Sequence, residues 1–311
     1  SNPLFTQEKW NISADLMEID KINNIKIKRL NNNVRFEKEN KILLTDNAIQ
    51  YVKDDVIHLS GNTIMINNLD TLTCDSMIYW SEIDSIYALG NIRFVHGSTR
   101  GILGEEMEIQ YADTLLEMIR VFKNAFAYNE INVRIVEDGP YRRFRDEMSS
   151  REMIAHFNDN EITQLELISM ATTFYNVIND SLLAGNNEAS GDTILIDFMD
   201  GDIRRIQVAG GALGKFKPEG DNTKIDTTVY YGADYLDYHI NDEKTFLSND
   251  AFVEYQNTKL SAGEIVVDWQ TNILNAIKVN EAYPMVRTLG EEPMKGNSMV
   301  FDLVAKHGRI N

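Results

Sequence analysis

Short stretches in which apolar and polar residues alternate, punctuated by turn dipeptides, recur along most of the chain. In Ser190–Ala212, Ile194, Ile196 and Phe198 alternate with Leu195 and Asp197, a period of two that places one apolar row on one face of a strand. Asp200-Gly201 follows. This dipeptide tolerates the positive φ of tight turns, so the chain is expected to reverse and return through Ile203, Ile206 and Val208. The first step of the return arm is three residues where simple alternation gives two, which predicts a bulge or widened turn beside Arg204 and Arg205. Gly210-Gly211 is read as the end of the arm.

The same hairpin is legible elsewhere. Met153, Ala155 and Phe157 lead to a turn at Asp159-Asn160 and a return through Ile162, Leu165 and Leu167. Met107, Ile109 and Tyr111 lead to Asp113-Thr114 and then Leu116, Ile119 and Val121. Ile265, Val267 and Trp269 lead to Thr271-Asn272 and then Leu274, Ile277 and Val279. Looser copies surround Met77 and Tyr79, Leu236 and Tyr238, and Met299 and Phe301. Roughly seven unequally spaced copies of a unit about 30 to 40 residues long indicate a repeat architecture. One hairpin cannot bury its apolar face alone, whereas adjacent copies build a shared core and a long surface. Residues Glu137–Ser150 (EDGPYRRFRDEMSS) carry the weakest pattern, so a sub-boundary or loop is expected over 137–150, between portions 1–136 and 151–311 that run on from one another. The last copy stops at Asn311 as its return arm begins, after a turn expected near His307-Gly308, and this predicts a partner strand or a longer parent chain.

Two short phrases alternate along the chain. One is a small residue followed by an apolar-x-aromatic strand, as in CDSMIYW, LGEEMEIQY, GADYLDY and AGEIVVDW; the other is YALGNIRF (Tyr87–Phe94), echoed in FKNAFAY and LSNDAFVEY. From about Ile42 to Leu303 this alternation resembles the OstA-like family, which includes the periplasmic bridge and outer-membrane receptor domains of lipopolysaccharide transport. The resemblance implies an all-β fold, an elongated open antiparallel β-jelly-roll built from repeated hairpins and shaped as a V-shaped trough. It implies a periplasmic protein of a diderm cell envelope, its signal peptide removed or outside this sequence. Its implied partners are lipopolysaccharide or a similar amphiphile, homologous β-jelly-roll domains joined through edge strands, and further copies of itself paired end to end. Met107, Ile109, Ile194, Ile196, Phe198, Ile203, Ile206, Val208, Ile265, Val267, Trp269 and Ile277 would line the trough; alternatively they form a closed sandwich core. Arg142, Arg143 and Arg145 would touch a phosphorylated headgroup, or else lie on a solvated loop or strand face.

Charge changes the picture only in part. With 30 basic and 48 acidic residues the formal charge is −18, which repels phosphate backbones and argues against a nucleic-acid partner. Like charges about 10 Å apart in water repel by only ~0.4 kcal/mol, whereas burying some ten methylenes contributes roughly 8 kcal/mol, so an anionic lipid is compatible with this charge. The single cysteine, Cys74, stands where related copies carry Gly104 and Gly191, which predicts a small buried structural role. The histidines, His58, His96, His156, His239 and His307, show no metal-ligand spacing. Glu105-Glu106 and Glu291-Glu292 are neighbours that point to opposite strand faces. GGALG (Gly210–Gly214) lacks the lysine-serine ending and following helix of a phosphate loop. No nucleophile-elbow or triad phrase occurs. The expectation is a protein without catalysis, cofactor or metal: an amphiphile-binding envelope module or, alternatively, a self-associating β scaffold with no small ligand.

Overall fold

The structure, a computed structural model, describes residues 10–22, 25–112, 114–219 and 223–311. The backbone contacts divide the chain into two compact units, Ser1–Ala127 with His156–Asn160, and Tyr128–Ala155 with Glu161–Asn311. Among the described residues every extended regular element is a β-strand and no helix occurs. Unit 1 contains β1 (Asn11–Ser13), β2 (Leu16–Ile22), β3 (Ile25–Lys38), β4 (Lys41–Tyr51), β5 (Val56–Asn67), β6 (Asp70–Trp80), β7 (Ser85–His96), β8 (Arg100–Ala112) and β9 (Leu115–Val121). Then come β10 (Ala125–Val133), β11 (Arg142–Ser150) and β12 (Glu152–Asn158). Unit 2 holds β13 (Glu161–Asn179), β14 (Leu182–Met199), β15 (Asp202–Pro218), β16 (Val229–His239), β17 (Lys244–Tyr255), β18 (Thr258–Asp268), β19 (Ile273–Ile277), β20 (Met285–Thr288), β21 (Met294–Lys295), β22 (Ser298–Asp302) and β23 (His307–Ile310).

Pairing follows chain order. Strands β3 to β9 form consecutive antiparallel ladders in unit 1, and β13 to β19 do so in unit 2. The turn residues adopt the left-handed conformation that their chemistry favours: Asp200 and Gly201 (φ +54° and +82°), Asp159 and Asn160 (+51° and +64°), Asn272 (+60°) and Thr114 (+72°). Asp113 lies outside the described residues. The expected bulge is present: Phe198 pairs with Ile203 and Asp197 with Arg205, leaving Arg204 as the extra residue. The β8–β9 hairpin repeats it, with Tyr111 opposite Leu116 and Gln110 opposite Met118. At the last turn the reversal precedes His307, which already belongs to β23 and pairs with Asp302.

Most strands are longer than one hairpin arm because they continue through a bend. Gly210-Gly211 does not end its arm: both residues are left-handed (φ +80° and +72°) in the middle of β15, and pairing resumes beyond them. Equivalent left-handed pairs are Asn32-Asn33, Gly61-Asn62, Ser169-Met170 and Asn249-Asp250, with Gly90-Asn91 inside the YALGNIRF phrase. The ladders shift register at each of them, and such bulges bend a strand. In these strands the buried rows step by four residues at the bend, from Leu59 to Thr63, Ala88 to Ile92, Val208 to Ala212 and Leu247 to Ala251.

Most of the partner strands carry an acidic residue at the bend, whereas β18 has Gly263 there. Asp46 accepts a hydrogen bond from Asn62 (2.8 Å), Asp75 from Asn91 (2.9 Å), Glu105 from Asn124 (2.6 Å) and Asp15 from Asn33 (2.8 Å). Their inward row steps by three, from Cys74 to Met77, Ala233 to Leu236 and Ala262 to Ile265. The last inward position before the step is small because the apex is crowded: a Cβ on Gly104 would lie 2.3 Å from Val121, and one on Gly191 2.5 Å from Val208. Cys74 fills this place in β6. It is buried, and burial pushes its thiol up to about 12, so at neutral pH it is an unreactive packing residue.

One exposed cluster in unit 2 sets an acid limit. Asp226 accepts hydrogen bonds from Lys306 (2.8 Å), Tyr255 (2.6 Å) and Gln256 (3.1 Å), and these donors, the ammonium foremost, hold its carboxyl down at about 2. A folded-state value below the unfolded one stabilises above the unfolded pKa and fades as pH falls. The tether is therefore intact above about pH 4 and lost as pH falls through about 2. Lys306→Met is expected to raise the Asp226 midpoint toward the ordinary carboxylate range in a carboxyl NMR titration; an unmoved midpoint would exclude the ammonium as the main cause.

Candidate functional site

Because the long strands bend, their two halves present their inward rows as two walls. In unit 2 one wall carries Ile194, Ile196, Ile206, Val208, Ile265 and Val267, all enclosed and adjacent through Ile194↔Val208, Ile196↔Ile206 and Val208↔Leu236. Phe198, Ile203 and Trp269 lie at the open end of this wall and are half-buried. The other wall, past the bends, includes Leu183, Ala212, Phe216, Val229, Tyr231 and Val253. Met107 and Ile109 belong to unit 1, where they are equally enclosed.

Ile277 departs from the expected row. It is 45% exposed, whereas Leu274 and Ala276 are buried. The β18–β19 ladder carries no extra residue, pairing Val267 with Leu274 and Ile265 with Ala276, so alternation puts Ile277 on the outer face.

The arginines of the 137–150 segment lie on β11. Arg143 and Arg145 both pair with Glu130, the latter at 2.7 Å, and the Arg145 guanidinium stands 4.5 Å from the Tyr128 ring. Arg142 is exposed on the same strand. Two of the three charges are thus met by one carboxylate.

The walls touch at their tips. In unit 2 the Trp269 ring, at the end of β18, reaches Phe216 (6.0 Å) and Tyr231 (6.2 Å) on the opposite wall. The Trp269 indole N–H donates to Thr245 (2.8 Å) and the Tyr231 hydroxyl to Asn187 (2.7 Å). Burial drives the Tyr231 phenol well above its usual range. This mouth is lined by aromatic rings, and at its exposed edge the Lys306–Asp226 ion pair also joins the two wall tips.

Unit 1 closes with charge. From one wall come Lys41, Asn67, Asp70 and His96, the inward residues at the ends of β4, β5, β6 and β7; from the other come Gln50, Tyr79, Asp84 and Tyr111. Lys41 Nζ donates to Asp84 Oδ1 and to the Tyr79 hydroxyl (3.2 Å), and that hydroxyl donates to the same Asp84 oxygen (2.8 Å). The ammonium also lies about equally close to two rings, 5.0 Å from Tyr79 and 4.9 Å from Tyr111, a favourable placement for a cation. Asp70 meets His96 Nδ1 at 2.7 Å and accepts from the Tyr111 hydroxyl at 3.2 Å. Trp10 bridges the walls, edge-on to Phe36 (6.0 Å) and Tyr79 (5.7 Å), and donates to Ser81 (3.3 Å). Lys41 is 6% exposed and Asp70 5%, while the side chains of Asp84 and His96 keep 21% and 24%, so this network is largely desolvated. Burial outweighs the attraction of Asp84 and holds the Lys41 pKa below its ordinary value.

Among the described residues no three metal-ligating side chains gather. Nor, among those residues, is any helix long and apolar enough to cross a membrane. The geometry defines a class: an all-β protein whose bent antiparallel strands enclose an apolar interior, with a polar mouth in one unit and an aromatic one in the other. No family model matches the chain, and no curated protein matches it. Among solved structures it is similar to LptH, described as the LptA homologous periplasmic component of the conserved lipopolysaccharide transport device from Pseudomonas aeruginosa, at 15% identity and a TM-score of 0.32, covering 45% of this chain and 86% of that one.

Proposed function

We propose that the protein is a non-enzymatic, periplasmic component of a diderm cell envelope that binds or conducts a lipopolysaccharide-like amphiphile between its walls, in transport or outer-membrane assembly. The observation that carries this reading is the gradient from a mainly apolar interior to a polar or aromatic rim, which matches the gradient along a lipid from tail to head. The alternation of the two sequence phrases, and its likeness to OstA-like chains, supports the same reading. A tail slipped between the walls replaces wall–wall contact with wall–tail contact, so its net gain is its own transfer from water, roughly 0.8 kcal/mol per methylene. Homologous β-jelly-roll domains and further copies of this chain are the partners that edge strands would recruit.

A second reading, a self-associating scaffold with no small ligand, is favoured by one feature: the inward rows are already enclosed by each other. Edge strand β2, with Leu16, Met17 and Ile19 exposed, offers such a scaffold a pairing surface. Organic extraction of the purified protein followed by mass spectrometry separates the two. The expected result is an amphiphile at near-stoichiometric yield. Lipid-free protein whose size grows with concentration would overturn the first reading in favour of the second.

A further inference from the structure

We propose that the charged mouth of unit 1 is a latch, Lys41 of one wall held by Asp84 and Tyr79 of the other, whose release parts the walls and admits an acyl chain. The inference deepens the amphiphile reading and rests on it for the identity of the occupant.

Three features of the mouth point to a closure built to open. First, beside the Trp10 ring, the walls meet there through buried polar contacts, the Lys41–Asp84 ion pair and the Tyr111–Asp70 hydrogen bond. A desolvated pair gains little over separated, hydrated charges, because the cost of removing both ions from water nearly cancels their attraction. Such a contact fixes where the walls meet without adding much to their adhesion, and the depressed affinity of Lys41 for its proton is in keeping with that balance. Second, the rim is under-satisfied. The Gln50 carbonyl has no hydrogen-bond partner, and neither polar atom of Asn67 has one of good geometry, although both residues are buried. Orphaned amides cost free energy in the closed state, and a polar head at the rim would satisfy them. Third, unit 2 closes with Trp269, Phe216 and Tyr231, and the ion pair between its wall tips, Lys306–Asp226, is solvent-exposed, so a buried ion pair as closure is a feature of the unit 1 mouth.

Cys74, the single thiol, sits inside unit 1, so its alkylation by N-ethylmaleimide in the native protein reports parting of these walls. Asp84→Asn keeps an acceptor for Tyr79 but leaves the Lys41 charge buried and unpaired, and is expected to speed labelling by about tenfold or more. The rate should be nearly flat at low urea, as for local opening, rather than steep as for global unfolding. Lys41→Met with Asp84→Leu replaces the pair by apolar groups and is expected to slow labelling below wild type without lowering the unfolding midpoint. Tyr79→Phe, which removes two hydrogen bonds of the latch, one from Lys41 and one to Asp84, should accelerate labelling modestly and serves if the double variant does not fold. Equal rates in wild type and Asp84→Asn, or an acceleration that rises steeply with urea, would overturn the latch. Saturating dodecanoate is expected to protect Cys74 in the wild type; variants that respond as described while dodecanoate protects nothing would leave the latch standing and remove the amphiphile.

Discussion

Phe94→Ala is expected to destabilise unit 1 by about 3–5 kcal/mol, the range for deleting a buried aromatic ring. Phe94 is 1% exposed on β7, flanked by Leu72 and Ile102 on the neighbouring strands. The penalty combines the lost transfer of the ring with the cavity it leaves, and the second part is large only where the surrounding wall cannot collapse. Here every flanking position is held by ladders on both sides, so collapse is restricted. Urea unfolding followed through Trp10 and Trp80 should show a lower midpoint at unchanged slope. The outer-face change Ile277→Ala should stay within about 0.5 kcal/mol. A loss below about 1 kcal/mol for Phe94→Ala would mean that the interior is not packed as described, and that the inward rows do not form a shared core.

Gly90→Val should cost about 2–4 kcal/mol for a different reason. Gly90 has φ +74°, a conformation that costs a residue bearing a Cβ roughly 1–2 kcal/mol, and its added Cβ would lie 2.3 Å from Asp75 Oδ2. Moving Asp75 aside breaks its bond to Asn91, worth about 1 kcal/mol. Gly97 separates these terms: it is also left-handed (φ +62°), but nothing lies within 4 Å of its added Cβ, so Gly97→Ala should show only the backbone cost of about 1–2 kcal/mol. Equal losses at the two glycines would mean that the acid facing the bend does not contribute.

This contrast also marks what the sequence makes legible. The turn at Asp200-Gly201 and the bulge at Arg204 are local chemistry, and both are readable from a few adjacent residues. The two recurring phrases are readable as repeats, but their meaning is not: they are the two sides of a bend, a left-handed pair on one strand opposite an acid on the next. After the acid the inward row advances by three residues, so simple alternation loses the row there. That is why Tyr231, on the far side of such a step in β16, escapes the pattern, while Gly210-Gly211 reads as an ending because a glycine pair ordinarily marks a turn. A signal was present in the four-residue step across LGN and SND, from Ala88 to Ile92 and from Leu247 to Ala251. The mouth of unit 1 is harder still, because Lys41, Asp70, Tyr79 and Asp84 come from separate strand ends and only the register of several ladders brings them together. Ile277 fails for the opposite reason: an extra residue was expected in a hairpin that has none.

The alternation of bend types has a consequence for how such a chain can change its size. Each acid-bearing strand fits between two strands with left-handed pairs, so excising β5 and β6 as a block would set Asp46 of β4 opposite Gly90-Asn91 of β7, a match of the same kind as the one removed. Odd numbers of strands cannot be deleted without placing like beside like. Chains of this design therefore lengthen or shorten in whole doublets, each worth two strand spacings or roughly 9–10 Å, which turns the count of doublets into a ruler.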